Sequence, residues 1–114
     1  MLTLENTKPE MIANNLEPFA PTHPGTVVKD EIEYRGITQR KLAEQMCISY
    51  TLLNEVLNGK RAINTEFALL IEAILDIDAS SLLSMQNRYD MSMTKKDSAF
   101  IDRLNKVRKI AAVF

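Results

Sequence analysis

A chain of 114 residues, 46% hydrophobic and 25% charged with a net charge of −1, has room for one globular domain and short extensions. It holds no apolar run of the ~18 residues needed to cross a bilayer, and Met1-Leu2-Thr3-Leu4-Glu5 lacks the basic and apolar blocks of a secretory signal. One cysteine, Cys47, and one histidine, His23, exclude an internal disulfide and supply no metal-ligand cluster, so the expectation is a cytoplasmic protein without metal or cofactor.

Residues 1–22 are polar, carry Pro9, Pro18 and Pro21, and hold at most one weak turn around Pro9–Leu16; they read as a mobile arm. Pro24 suits the first position of a helix, where its missing N–H costs nothing. That helix should run to about Tyr34, bury Val27, Val28 and Ile32, and stop at Gly36 in left-handed conformation. His23, at its mouth, is better read as a capping or packing group than as a ligand.

Two short amphipathic helices follow, separated by a tight turn. Thr38 can cap the first and Ser49 the second, each hydroxyl accepting a free backbone N–H. Ile37 and Ile48 precede these caps, and Leu42 and Leu53 follow four residues into each helix, the hydrophobic-staple spacing repeated eleven residues apart. Leu42, Ala43 and Met46 give the first helix a buried face; Leu53, Val56 and Leu57 serve the second. Small Ala43 suits helices crossing at about 90–120°, as in a helix-turn-helix. Gly59 ends the second helix. The arrangement is one that reads DNA.

Asn64 caps a fourth helix, with Phe67, Ala68, Leu70, Ile71, Ile74 and Leu75 at helical spacing. A fifth begins after Asp78 and presents Leu82, Leu83, Met85 and Tyr89. A sixth, from Thr94 or Lys95, sets Phe100, Leu104, Val107, Ala111 and Phe114 at intervals of 4, 3, 4 and 3, a short heptad seam widened by Ile101 and Ile110. Two heptads are too few to hold alone. The seam therefore packs back on its own domain, pairs with a second copy, or docks another protein. With only three glycines and little β-branched alternation the chain reads as all-α. Its six methionines read as core filler.

Charge is unevenly spread. Residues 1–34 net −4, residues 35–64 net +3 and residues 95–114 net +4; local sign, more than the total, decides whether a surface meets phosphates. Solvated helix faces would give the same counts. Cys47 as a nucleophile would have only His23 as a base, and no enzyme is expected.

Pro21-Thr22-His23-Pro24-Gly25, Gly36-Ile37-Thr38-Gln39, Leu42-Ala43, Ser49, Leu57-Asn58-Gly59-Lys60-Arg61-Ala62-Ile63 and Gln86-Asn87-Arg88-Tyr89-Asp90, taken together and in this order, resemble the HigA-type antitoxins. These are a branch of the XRE-family helix-turn-helix proteins related to phage repressors and Cro, and the likeness covers roughly residues 20–91. It implies a five-helix lambda-repressor-like DNA-binding domain over residues 23–91, usually dimeric, that binds operator DNA and represses its own operon. It also implies a partner toxin, typically a small ribosome-dependent endoribonuclease, which the chain would neutralise. Residues 94–114 would then form a helix for dimerisation or partner docking. A stand-alone XRE-type regulator, or a protein-interaction module without DNA binding, remains the alternative.

In a helix-turn-helix the second helix enters the major groove by its N-terminal residues. Those are Ser49, Tyr50, Thr51 and Asn54, with Glu55 one step on. Asn54 suits a bidentate pairing with adenine, and Thr51 a thymine methyl or a base acceptor. Gln39 opens the first motif helix, where an amide and free backbone N–H groups suit a phosphate; Arg40, Lys60 and Arg61 are candidate backbone clamps. Tyr50 contacts a base or a protein partner. Three positions depart from the family: Cys47 stands where glycine is common, and Tyr50 and Glu55 stand where arginine or lysine is usual. A left-handed cysteine costs on the order of 1–2 kcal/mol, unless the turn takes another backbone. Glu55 would be repelled by phosphates unless it accepts from cytosine.

Overall fold

The structure, a computed structural model, describes residues 21–113. Over that span it is all-helical: α1 Pro24–Arg35, α2 Gln39–Met46, α3 Tyr50–Leu57, α4 Thr65–Leu75, α5 Ala79–Lys95 and α6 Ser98–Ala111. The arm expected over residues 1–22 lies outside the described residues except for Pro21 and Thr22. None of these helices is long and apolar enough to cross a membrane.

Local chemistry sets each helix start. His23 caps α1 through Nδ1, which accepts the Gly25 N–H at 2.9 Å. Thr38 and Ser49 cap α2 and α3, accepting from Lys41 N at 3.1 Å and Leu52 N at 3.0 Å. Asn64 caps α4 through Phe67 N at 2.8 Å, and Asp78 caps α5 through Ser81 N at 2.8 Å. Gly36 ends α1 at φ 73, as expected. Cys47 ends α2 at φ 57 and ψ 40, so the motif turn keeps its left-handed geometry and carries the cost of a Cβ there.

The first five helices share one core, with Val28 and Ile32 of α1, Leu42 of α2, Leu53 of α3, Ile71 of α4 and Leu82 of α5 all essentially inaccessible. Ile37 and Ile48 pack partly buried against it, completing both staples. Val27 is only half-buried, and Leu70 is exposed. At Gly25 a Cβ would stand 2.0 Å from the Val56 carbonyl oxygen, so only glycine lets α1 start against the end of α3.

The fifth helix departs from expectation. Leu82 is buried, but Leu83, Met85 and Tyr89 are half-buried, and Gln86 and Ser92 are buried instead. It continues to Lys95, and α6 starts at Ser98 rather than at Thr94 or Lys95. No glycine or proline interrupts α5, and the group that caps the next helix is Asp97, which accepts from Ala99 N at 3.0 Å and Phe100 N at 3.4 Å.

No residue of α6 is fully buried. Phe100 and Leu104 face Asp90, Met91, Thr94 and Lys95 of α5 across a groove of about 320 Å³. Val107 and Ile110 stay more than half exposed, and Ala111 is exposed as well. Phe114 lies outside the described residues. Met46 is core, whereas Met91 and Met93 are exposed, so core filling does not account for every methionine.

Candidate nucleic-acid interface

Each α-helical residue advances about 100° around the axis. With Leu53, Val56 and Leu57 of α3 buried, Thr51, Glu55 and Asn58 point directly away from the core, and Tyr50 and Asn54 lie on the flank nearer α2. Ser49 starts this helix but its hydroxyl is taken by the Leu52 N–H. Thr51 is exposed, and Tyr50 is 40% exposed.

Three side-chain relationships organise this face. Arg40, in the first turn of α2, lays its guanidinium 4.7 Å from the centre of the Tyr50 ring, which draws the two N-terminal ends together through cation–π attraction. Asn54 donates from Nδ2 to Gln39 Oε1 at 3.0 Å and accepts at Oδ1 from Asn58 Nδ2 at 3.2 Å. Asn58 in turn accepts from Lys29 Nζ at 3.2 Å. The chain Lys29–Asn58–Asn54–Gln39 thus ties α1, α2 and the end of α3 together. Third, Arg61 donates from Nε to Glu55 Oε1 at 3.0 Å, with Nη2 in ion-pair contact with the same oxygen at 2.9 Å, so Glu55 does not stand as a bare carboxylate.

These contacts change the standing of several expected residues. Gln39 is half-buried at the start of α2 and engaged with Asn54. Both halves of the Asn54 amide are occupied, so a bidentate pairing with adenine would require releasing Gln39 and Asn58. Arg40 and Lys60 are exposed, while Arg61 is shared with Glu55. Lys29 and Asn58 escaped the sequence reading; the Asn54–Asn58 spacing of four, which places two amides on one helix face, was the available signal.

The loop bearing Lys60 and Arg61 is held from behind. Gln86, buried on α5, accepts the Ile63 N–H at 2.8 Å and donates to Asp90 Oδ1 at 2.9 Å. Gly59 holds the left-handed φ of 76 that carries this loop over the His23 ring; a Cβ there would meet the ring only at an ordinary contact distance of 3.6 Å. Tyr89 packs edge-on against that ring, centroids 4.8 Å apart. Burial pushes the His23 pKa down, opposed by the Asp90 carboxylate and the Arg61 backbone. The Gln86–Asp90 segment is therefore a buttress for the cationic loop.

The helix-turn-helix family (HTH_3) matches residues 28–82. Virulence-associated protein A' of Dichelobacter nodosus is 31% identical over 80 residues, 69% of this chain and 70% of that protein. Among solved structures, an addiction module antidote protein of the HigA family from Coxiella burnetii aligns with a TM-score of 0.65 at 26% identity, covering 75% of this chain and 95% of that one. A Pseudomonas aeruginosa protein in complex with its operator DNA shares the fold at a TM-score of 0.61 and 23% identity, covering 75% of this chain and 93% of its own. The chain belongs to the XRE-type helix-turn-helix family, in its HigA-type antitoxin branch.

Proposed function

We propose that this chain is a sequence-specific repressor that binds operator DNA, represses the operon encoding it, and neutralises a ribonuclease toxin encoded alongside. The observation that carries the reading is the state of α3: capped, tied to α1 and α2 by the Lys29–Asn58–Asn54–Gln39 chain, and presenting an exposed outward face beside Arg40 and Lys60. Such a helix loses little conformational freedom on docking, so most of its contact energy appears as affinity. Thr51, Tyr50 and Glu55 face the base edges. Ser49, Gln39 and Asn54 set the helix in register. Arg40, Lys60 and Arg61 bring positive charge to the backbone and the groove. The operator-bound Pseudomonas neighbour supports this use of the fold.

The repressor acts as a homodimer paired through α6. Phe100 and Leu104 are half-buried on α5, whereas Val107, Ile110 and Ala111 continue the stripe unpartnered. Charge along α6 is uneven, with the capping Asp97, Asp102 and Arg103 toward its start and Lys106, Arg108 and Lys109 in its second half. An antiparallel pair of copies sets opposite signs side by side while covering the stripe. Two such domains address half-sites about 34–36 Å apart.

A reporter driven by the DNA upstream of the chain's own gene, with the adjacent gene expressed separately, tests the whole reading. The expected result is repression of the reporter and relief of the growth arrest caused by the adjacent product. An unrepressed reporter removes the repressor role, and an unrelieved arrest removes the antitoxin role.

A further inference from the structure

Glu55 lies on the outward face of α3, with its side chain 37% exposed, and Arg61 beside it is 57% exposed. The geometry of their pairing leaves a specific set of groups without a partner among the described residues. Arg61 turns its side-on edge to one oxygen, Oε1, with Nε donating to it and Nη2 in ion-pair contact with it. The end-on edge of the guanidinium, Nη1 with the second Nη2 hydrogen, therefore still carries a two-pronged donor fork, and Glu55 Oε2 remains an acceptor. The pair is neutral as a unit, so the carboxylate is not expelled by phosphates. An ion pair this exposed contributes little to folding, and stability does not account for its geometry.

We infer that Glu55 and Arg61 form one composite reader of a C·G base pair, Glu55 accepting from cytosine N4–H2 while Arg61 forks onto guanine O6 and N7 of the same pair. This rests on the DNA-reading assignment proposed above. Across the major groove a C·G pair presents one donor next to two adjacent acceptors, the mirror of what Glu55 and Arg61 hold out. Adenine offers N7 and N6–H2 and thymine a single O4 beside a methyl group, so neither gives the fork two neighbouring acceptors. Arg61 thereby reads a base where the charge pattern alone assigned it to a phosphate.

In vitro selection from a randomised duplex pool separates the possibilities, run with the full chain and in parallel with Glu55→Ala, Arg61→Lys and Thr51→Ala. Circular dichroism of each variant checks that the helices persist. The wild-type chain should enrich a C·G pair at one set position of each half-site. Glu55→Ala and Arg61→Lys, which keeps the charge but loses the fork, should cut that preference about tenfold or more at that position alone. Thr51→Ala should leave it intact and relax a different position. Enrichment of one sequence by the wild type and both pair variants alike overturns the composite reader but leaves DNA reading standing. No enrichment by the wild type overturns the DNA-reading assignment and this inference with it.

Discussion

Asn54 of α3 donates its side-chain amide to Gln39 of α2 at 3.0 Å, across the turn of the helix-turn-helix. Its carbonyl oxygen is meanwhile held by Asn58, so the amide acts as a brace between the two motif helices. Asn54→Ala and Gln39→Ala should each weaken operator binding about tenfold, the ~1.4 kcal/mol scale of one lost hydrogen bond, with base preference unchanged. Competition with duplexes substituted one pair at a time measures this. A loss confined to one adenine position would instead make Asn54 a base reader.

Much of the architecture was readable because its causes are local. Thr38 and Ser49 each act on an amide three residues away, Ile37 and Ile48 on the next turn, and Gly36 and Gly59 on their own φ. The misread features depend on distant partners. Gln86 is buried because Ile63 N, 23 residues earlier, needs an acceptor. Glu55 does not stand bare on the outward face of α3 because Arg61 folds back onto it from beyond the helix end. The break between α5 and α6 falls later than Thr94 or Lys95 because the capping group that makes it is Asp97. The seam of α6 was legible as a pattern, but how far α5 covers it depended on where that break fell.

Cys47 holds a left-handed backbone, φ 57, that an L side chain occupies at a cost of about 1–2 kcal/mol. Cys47→Gly removes that strain while enlarging the freedom of the unfolded chain. The net expectation is a gain of about 1 kcal/mol in urea denaturation, with unchanged operator affinity. A destabilised glycine variant would show that the cysteine packs more usefully than its exposed position indicates.

The protonation state of His23 is tied to the fold. Nδ1 accepts from Gly25 N, and a proton there would meet that N–H, while burial holds the pKa below the ordinary value of about 6.5. The unfolded chain therefore takes up the proton first as pH falls. Stability from this group is full above about pH 6.5 and is lost as pH drops through the unfolded and then the folded value. Urea midpoints should be lower at about pH 5.5 than at about pH 7.5, and His23→Asn, which keeps a capping acceptor, should flatten the difference. An equal slope in wild type and variant would place the pH sensitivity elsewhere.

Val107 is 57% exposed in the middle of the α6 stripe. Val107→Asp should convert the proposed dimer to a monomer in sedimentation equilibrium, with helix content preserved, because a carboxylate cannot be buried unpaired in an apolar seam. A variant that remains dimeric would move the pairing surface to another face.

The most direct test of the central claim, that α3 is a braced DNA-reading helix, is fluorescence anisotropy of the full chain on its own upstream DNA and on a scrambled duplex of equal length, over a salt series. The account predicts binding at least about 10³-fold tighter to the former at near-physiological salt and a steep loss of affinity as salt rises. Equal affinity for both duplexes, or none for either, would contradict it.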